Sequence, residues 1–144
     1  MRVIIAGSRP PKAIRDDPQR LEQWYEEHYD VLEEAIEHSG MRELIEVVVG
    51  GETTGYDELG KRWAHANGLE YEPHAAKWRN KQGVLDMGAG MKRNREMAQS
   101  GIDGAVILWD GKSSGARNCI VECEKVAKAG GMELECIWVE LVDA

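Results

Sequence analysis

Three hydrophobic runs of this chain each end in a short segment that contains glycine. The runs at residues 3–6, 45–49 and 105–109 are rich in β-branched residues, which is typical of buried strands in a parallel sheet. In open parallel sheets, ligands bind beyond the carboxyl ends of the strands. Glycine allows turns with positive φ and lets a ligand approach bare backbone N–H groups. We therefore expect the three glycine segments to contribute to one shared pocket.

The order of the remaining elements predicts an α/β fold. Amphipathic periodicity and capping residues predict helices between the strands. The predicted strands are residues 2–6, 44–49, 69–74, 104–109 and 133–139, and the predicted helices are residues 18–39, 56–67, 92–99 and 116–129. Strands that alternate with helices form right-handed crossovers. The prediction is a single domain over residues 1–144, a Rossmann-like three-layer α/β/α sandwich with a mostly parallel sheet of about five strands.

Two segments are predicted as loops. Pro10 and Pro11 lie near the start of residues 7–17, and these prolines are expected to prevent an early helix. Residues 75–91 show no convincing periodicity, and a loop of this length in a compact domain is usually functional or mobile. We expect Trp78, within this loop, to act as a lid or to stack on a ligand.

The charge balance limits the classes of partner. The chain has 18 basic and 26 acidic side chains, which gives a net charge of −8. An acidic surface disfavours non-specific binding to nucleic acid, because such binding needs basic groups to replace phosphate counterions. The sequence shows neither a signal-peptide pattern nor an apolar run near the ~20 residues of a membrane span. We expect a cytoplasmic protein with no membrane partner, for which nucleic acid is a disfavoured partner.

The three cysteines, Cys119, Cys123 and Cys136, are predicted to be buried thiols of a reducing compartment. Their number is odd, and their spacing matches no Cys-x-x-Cys site. The histidines are scattered without ligand spacing, so no metal site and no cofactor are expected. An alternative for Cys119 is a nucleophile at a helix start, where its pKa would fall.

The glycine segments predict an anion site of a kind that neither standard nucleotide motif provides. The chain lacks both G-x-x-x-x-G-K-[ST] and G-x-G-x-x-G. Residues 50–55 and 113–115 would instead direct free N–H groups and positive helix ends into the crevice. Arg9, after the first strand, and Arg93, at a predicted helix start where its charge opposes the helix dipole, would add positive charge. The candidate ligand-binding residues of these segments are Gly7, Ser8, Arg9, Gly50, Gly51, Gly55, Arg93, Asn94, Gly111, Ser113, Ser114 and Gly115.

Two carboxylates complete the candidate site, and each has a structural alternative. Asp57 and Asp110 could accept hydrogen bonds from ribose hydroxyls or from a base. Alternatively, Asp57 favours the first turn of a helix and Asp110 caps a turn through its side chain. Trp109 could stack on a base, or it could belong to the core as the last residue of a central strand.

The sequence motifs that contain these candidate residues resemble those of the SLOG superfamily, and in particular those of its small stand-alone branch, the YAcAr type. The resemblance covers nearly the whole domain in the same order. It runs through Gly7-Ser8-Arg9, Gly50-Gly51, Gly55-Tyr56-Asp57, the region of Trp78, Arg93-Asn94, Glu96-Met97 and the segment from Trp109 to Gly115. It implies a Rossmann-like fold that binds a nucleotide or a nucleotide-derived ligand. Some branches hydrolyse nucleoside monophosphates, others sense NAD-derived signals, and a further branch binds single-stranded DNA.

The chain departs from the SLOG pattern at two places. Members of this type commonly have two residues between the glycine pair and Gly55, whereas this chain has residues 52–54 there. The hydrolytic branch carries P-G-G-x-G-T-x-x-E, and aligning its glycines on Gly115 puts Ala116 at the threonine and Cys119 at the glutamate. The resemblance therefore implies a chain that lacks this catalytic glutamate, which favours a binding protein over an enzyme.

We expect the chain to bind or sense a nucleotide or a nucleotide-derived phosphate ligand. One alternative is a nucleotide-processing hydrolase that cleaves an N-glycosidic or phosphate bond, in which Asp110, Asp57 or Glu96 is the acid or base and Arg93 holds phosphate. A second alternative is a DNA-processing or protein-interaction factor. The Trp- and Tyr-rich first helix is a candidate exposed apolar patch through which a homodimer could form.

Overall fold

The core of the fold is a parallel β-sheet. A computed structural model describes residues 1–143, in which the strands are Arg2–Gly7 (β1), Val47–Gly50 (β2), Glu70–Pro73 (β3), Gly104–Trp109 (β4) and Ile137–Leu141 (β5). Their order in the sheet is β3-β2-β1-β4-β5, and every neighbouring pair is parallel. β2 and β3 lie on one side of β1 in the sheet, and β4 and β5 lie on the other side. The topological switch point, where ligands bind in such sheets, therefore lies between β1 and β4.

Helices cover both faces of the sheet. They are Lys12–Arg15 (α1), Pro18–His38 (α2), Tyr56–Ala66 (α3), Ala89–Ala98 (α4) and Ser114–Lys128 (α5). Side chains of α2 and α3 pack on one face, and side chains of α4 and α5 pack on the other. Among residues 1–143, none of the helices combines the length and the apolarity needed to cross a membrane. The predicted α/β class and the Rossmann-like three-layer arrangement are confirmed.

The central strands are buried on both faces, which explains why their sequences are continuous apolar runs. Val3 and Ile5 of β1 belong to the core under α2 and α3, whereas Ile4 and Ala6 belong to the core under α4 and α5. Successive side chains of a strand point to opposite faces of the sheet. A strand covered on both faces therefore has no solvated side on which polar residues could alternate with apolar ones.

Helix α2 begins as the capping pattern predicts. The side chain of Asp17 accepts hydrogen bonds from the N–H groups of Gln19 and Arg20 at 3.1 and 3.3 Å. The aromatic residues of this helix lie elsewhere than expected. Trp24 and Tyr25 are only 5% and 4% exposed and belong to the core. The prediction of an exposed apolar patch on this helix is therefore wrong.

The structure contains one short helix, α1, within the segment predicted as a loop. The N–H groups of Ile14 and Arg15 both donate to the carbonyl of Pro11, at 2.9 and 3.0 Å. Pro11 precedes the helix with φ −55°, a value that suits a helix start. The expectation that the prolines prevent an early helix is therefore wrong.

Two strands begin later than predicted, because strand pairing rather than composition sets their limits. Residues 42–44 and 134–136, which lie at the predicted starts, form single turns of 3₁₀ helix. β2 begins at Val47 and β5 at Ile137, where each first pairs with its neighbouring strand. The predicted starts at residues 44 and 133 are therefore wrong by about one 3₁₀ turn.

The segment predicted as a long loop contains an ordered β-hairpin turn. The N–H of Asp86 donates to the carbonyl of Trp78 at 2.7 Å, and the N–H of Asn80 donates to the carbonyl of Val84 at 3.0 Å. The Asn80 side chain in turn accepts a hydrogen bond from the N–H of Val84 at 3.0 Å. We refer to residues 77–86 as the hairpin.

Helix α4 begins earlier than predicted, at Ala89 instead of residue 92. The side chain of Asp86 accepts a hydrogen bond from the N–H of Gly88 at 2.9 Å, and its carbonyl accepts one from the N–H of Ala89 at 3.2 Å. Arg93 consequently lies in the second turn, so the predicted conflict between its charge and the helix dipole does not arise. The early glycines of this segment are weak helix formers, which hid the helix start from the sequence pattern.

Candidate functional site

A pocket of about 540 Å³ opens at the carboxyl ends of β1 and β4. It lies at the switch point of the sheet, as predicted for the glycine segments. The loop after β2 and the first half of α4 complete its wall. The structure brings together in this pocket the predicted residues Gly7, Arg9, Asp57, Trp78, Arg93, Asn94, Ser113, Ser114 and Gly115.

Two arginine side chains line the pocket. Arg9 follows β1 and donates a hydrogen bond from Nε to Oγ1 of Thr54 at 2.9 Å. Arg93 on α4 donates from Nε to Oδ1 of Asn94 at 2.9 Å and from Nη1 to the carbonyl of Gly51. Within residues 1–143, neither arginine forms an ion pair with a carboxylate.

The positive charges of these arginines are therefore available to an anion. Burial and the neighbouring Arg15 lower the pKa of Arg9, while Asp57 acts in the opposite direction. A guanidinium group nevertheless stays protonated at neutral pH. Nη2 of Arg93 has no hydrogen-bond partner in the described part of the chain. An anion in the pocket would accept hydrogen bonds that the protein itself leaves open.

The start of α5 also faces the pocket. Ser113 is the N-cap residue, and its hydroxyl accepts a hydrogen bond from the N–H of Ala116 at 3.4 Å. The N–H groups of Ser114 and Gly115 lie in the first turn, where a helix provides no acceptor. The first turn of α5 contains no acidic residue, so the positive end of the helix dipole is not neutralised there.

Asn94 connects α4 to α5 at the base of the pocket. Its Nδ2 donates hydrogen bonds to the carbonyl of Gly115 at 3.2 Å and to Oδ1 of Asn118 at 2.9 Å. Its Oδ1 accepts the hydrogen bond from Arg93. Because both N–H bonds of its amide are occupied, Asn94 positions Arg93 and the start of α5 relative to each other.

Asp57 is a buried carboxyl group in the first turn of α3. Its Oδ1 accepts a hydrogen bond from the N–H of Gly7 at 3.3 Å, and its Oδ2 accepts one from the hydroxyl of Thr53 at 2.8 Å. Burial raises the pKa of Asp57, although the Thr53 hydroxyl and the charge of Arg93 act against this shift. Asp57 therefore holds the loops after β1 and β2 together at the pocket wall.

The glycine pair after β2 lies behind the pocket wall and does not line the cavity. A Cβ on Gly50 would overlap the ring and hydroxyl of Tyr71. A Cβ on Gly51 would lie 2.8 Å from Oδ2 of Asp57 and 2.9 Å from Nη1 of Arg93. The glycines are thus explained by the close approach of side chains that shape the pocket.

Gly55 does not line the pocket, but it packs against the loop that carries Arg9. It has a φ of 95° at the N-cap of α3, and a Cβ there would lie 2.7 Å from the carbonyl oxygen of Ser8 and 2.9 Å from Cα of Arg9. Its N–H donates to the hydroxyl of Tyr25 at 3.2 Å. Gly55 therefore lets α3 begin directly against the loop that carries Arg9.

The loop after β4 is closed by its own hydrogen bonds. Oδ1 of Asp110 accepts from the N–H groups of Lys112 and Ser113, both at 2.8 Å, and the N–H of Asp110 donates to the hydroxyl of Ser8 at 3.0 Å. Partial burial works to raise the pKa of Asp110, but these hydrogen bonds lower it overall. Ser8, Asp110 and Gly111 do not line the pocket. Asp110 thus has the geometry of a turn cap.

The two candidate stacking tryptophans lie in different places. Nε1 of Trp109 donates to the carbonyl of Ser113 at 3.0 Å, and this side chain does not line the pocket. Trp78, on the hairpin, lines the pocket next to Gly90 and is 49% exposed. Its aromatic ring is therefore placed where a ligand could reach it, and the stacking or lid role stays a prediction.

Cys119 lines the pocket, but it is not activated as a nucleophile. It lies in the second turn of α5 and is 2% exposed. The adjacent Cys123 thiol and burial raise the pKa of Cys119 well above its ordinary value. The alternative of a helix-start nucleophile with a lowered pKa is therefore wrong. Within residues 1–143, no three His, Cys, Asp or Glu side chains come together as a metal site.

We expect Cys119 and Cys123 to resist thiol reagents in the folded protein, because both are buried. An aromatic disulfide reagent should label at most the half-buried Cys136 within minutes, and it should label all three thiols after unfolding in guanidinium chloride. Cys136→Ser should leave no rapidly reacting thiol. Rapid labelling of the folded Cys136→Ser protein would contradict the burial of the other two.

A comparison with curated proteins identifies a phage relative. The Gene 61 protein of Mycobacterium phage D29 is 33% identical over 134 residues, a match that covers 86% of this chain and 89% of the phage protein. The chain belongs to the family of this Gene 61 protein. No family model matches the chain, and no solved structure matches it.

In this member of the Gene 61 family, several residues of the pocket were not recognised from the sequence. Ala116 directly follows the predicted glycine segment and Asn118 lies three residues after Gly115, so the helical repeat would have found them. The others lie at the end of β1, in the loop after β2, between the hairpin and α4, and at the start of α4, and no local pattern relates them to the site. The missed residues are Ala6, Thr53, Met87, Gly90, Met91, Ala116 and Asn118.

Proposed function

We propose that this protein binds a nucleotide, or a ligand derived from one, through a phosphate group in the pocket. The observation that carries the proposal is the convergence of Arg9, Arg93 and the start of α5 on one cavity of about 540 Å³. Neither arginine has an ion-pair partner within residues 1–143, and the first turn of α5 has no acidic residue. Guanidinium groups and helix N-termini are the groups that proteins commonly use to bind phosphate.

The position of the two arginines, more than their lack of ion pairs, strengthens this inference. Ten of the 18 basic side chains form no ion pair with a carboxylate among residues 1–143, so the unpaired state alone does not distinguish Arg9 and Arg93. These two arginines differ in that both line one cavity together with the start of α5. A bound anion gives a physical reason for this convergence.

The remainder of the pocket wall suits a base and a sugar. Trp78, Met87 and Met91 supply aromatic and apolar surface, and bases stack readily on aromatic rings. Asp57 supplies a carboxyl group that could accept a hydrogen bond from a ribose hydroxyl. The volume falls within the roughly 300–1,000 Å³ of small-molecule sites. The resemblance to the YAcAr type of the SLOG superfamily supports the same ligand class.

A nucleotide hydrolase is the second candidate, and Asp57 is the observation that favours it. Of the three carboxylates considered as acid or base, only Asp57 lines the pocket. Asp110 caps a turn, and Glu96 lies next to His74 at 3.6 Å. Burial raises the pKa of Asp57, as a general acid requires. Binding remains the first proposal, because the resemblance puts Cys119 at the position of the catalytic glutamate.

Thermal unfolding with AMP, ADP, ATP, ADP-ribose, NAD, cyclic nucleotides and ribose 5-phosphate tests the proposal. A ligand at about 100 times its Kd stabilises the folded state by about 2.7 kcal/mol, which raises the Tm by several degrees. We expect Arg9→Ala to weaken the Kd of the best ligand about tenfold, since one charged donor is lost while Arg93 and α5 remain. Chromatography of the same samples shows whether the ligand is cleaved.

Arg20→Ala is the matched control, because Arg20 is an exposed arginine of α2 that does not line the pocket. We expect its Kd to equal that of the unmodified protein. A panel in which no compound raises the Tm would overturn the proposal. Equal losses in the two variants would assign the effect to net charge instead of to the pocket. Cleaved ligand would favour the hydrolase.

A further inference from the structure

Positive charge is concentrated in one segment of this acidic chain. Residues 75–96 hold six of the 18 basic side chains but only two of the 26 acidic ones. This segment comprises the hairpin and most of α4. The segment is therefore net positive in a chain whose net charge is −8.

The basic side chains of this segment line a second cavity of about 390 Å³, which we call the basic groove. The hairpin contributes Lys77, Arg79 and Lys81, and α4 contributes Lys92 and Arg93. The two acidic residues of the segment, Asp86 and Glu96, also line it. Cations outnumber anions in this lining, so the groove is suited to an anionic group.

The hairpin contributes side chains to both the groove and the pocket. Neighbouring residues of an extended strand point in opposite directions, and on the hairpin Trp78 lines the pocket while Lys77 and Arg79 line the groove. Arg93 lines both cavities. Arg93 is therefore the residue that the two cavities share.

Part of the positive charge in the groove is free. Lys92 pairs with Asp86 at 2.7 Å, and Nη1 of Arg79 donates to the carbonyl of Gly83 at 2.9 Å. Lys77 and Lys81 have no ion-pair or hydrogen-bond partner among residues 1–143. The hydrogen bonds of the hairpin hold the backbone that carries these two ammonium groups.

We propose that the basic groove is a subsite for a second phosphate group of the ligand that occupies the pocket. This inference rests on the proposed function. The nucleotide phosphate would lie between Arg9, Arg93 and α5, and the ligand would continue past Arg93 to a phosphate near Lys77 and Lys81. A nucleoside monophosphate fills only the pocket, so the groove selects ligands with a further phosphate, carried either on a phosphodiester-linked nucleotide or on a linear polyphosphate.

Isothermal titration with three probes tests this subsite: AMP, ATP and the phosphorylated dinucleotide pApA. We expect pApA or ATP to bind at least about tenfold more tightly than AMP, with a steeper dependence on salt. The probe that gains affinity identifies the source of the second phosphate. In Lys77→Gln/Lys81→Gln, the gain should disappear while the Kd for AMP changes less than about twofold, because the pocket is intact.

Lys12→Gln/Lys128→Gln is the matched control, since it removes the same charge from two exposed lysines outside both cavities. We expect this variant to keep the full gain. AMP binding without any gain for pApA or ATP would overturn the subsite and leave the proposed function standing, as would a gain that survives in Lys77→Gln/Lys81→Gln. Failure of all three probes to bind would overturn the subsite, and the proposed function would fall with it only if no compound of the thermal-unfolding panel raised the Tm.

Discussion

We expect Arg93→Met to weaken the binding of the best nucleotide about 30- to 150-fold, which corresponds to about 2–3 kcal/mol. Methionine keeps much of the apolar stem of arginine but removes the guanidinium group. Arg93 lines both the pocket and the basic groove, and Nη2 of its guanidinium group has no hydrogen-bond partner in the described chain. Among residues 1–143, Arg93 is the only residue that lines both cavities. Titration calorimetry with the best ligand of the panel measures the loss.

Two controls separate charge from structure in this experiment. Arg93→Lys keeps the positive charge but not the planar fork, so we expect an intermediate loss of about tenfold. Arg93 also donates to the carbonyl of Gly51 and to Asn94, and thermal unfolding without ligand shows what the loss of these bonds costs. A folded Arg93→Met protein that binds the nucleotide as tightly as the unmodified protein would contradict the assignment of Arg93 as the phosphate ligand.

Gly55→Ala should lower the free energy of unfolding by about 2–6 kcal/mol. A φ of 95° with a ψ of −141° is a conformation that side chains other than glycine avoid, at a cost of about 1–3 kcal/mol. The new Cβ would also lie 2.7 Å from the carbonyl oxygen of Ser8 and 2.9 Å from Cα of Arg9. Both neighbours are backbone atoms, so relief requires a backbone shift costing about 1–3 kcal/mol. Denaturation in urea measures the loss.

Gly111→Ala is the matched control for Gly55→Ala. Gly111 also has a positive φ, 80°, but a Cβ there meets nothing within 4 Å. We expect a loss of about 1–2 kcal/mol from backbone strain alone. Equal losses in the two variants would show that close packing of α3 against the loop after β1 contributes nothing to stability.

The layer architecture could be predicted from the sequence because the five strands and the four longer helices each have a local sequence pattern. The apolar runs that became β1, β2 and β4 are continuous, since both of their faces are covered. Asp17 caps α2 through bonds to residues two and three positions away. Where the limits of an element depended on a distant partner, prediction failed. β5, for example, begins at Ile137 only because Ala105 of β4 pairs with it there.

In the candidate site, too, features with a local sequence pattern could be predicted, whereas features that depend on tertiary contacts could not. Arg9, Arg93 and the segment 113–115 were predicted because each stands at a strand end or among charged residues that the sequence displays. Asp57 and Asp110 could not be told apart, since both are carboxylates near a helix start. The structure separates them, because Asp57 lines the pocket while Asp110 bonds to its own turn.

The sequence by itself determined the order of strands and helices, and with it the edge of the sheet at which a pocket forms. Both follow from interactions between residues close in the chain and from the handedness of parallel crossovers. Only the tertiary structure decided which polar groups are left free there. Whether Arg93 is paired depends on contacts between segments about forty residues apart, such as the bond from Arg93 to Gly51. Such contacts leave no periodic trace in the sequence, because neither partner is defined until the sheet has formed.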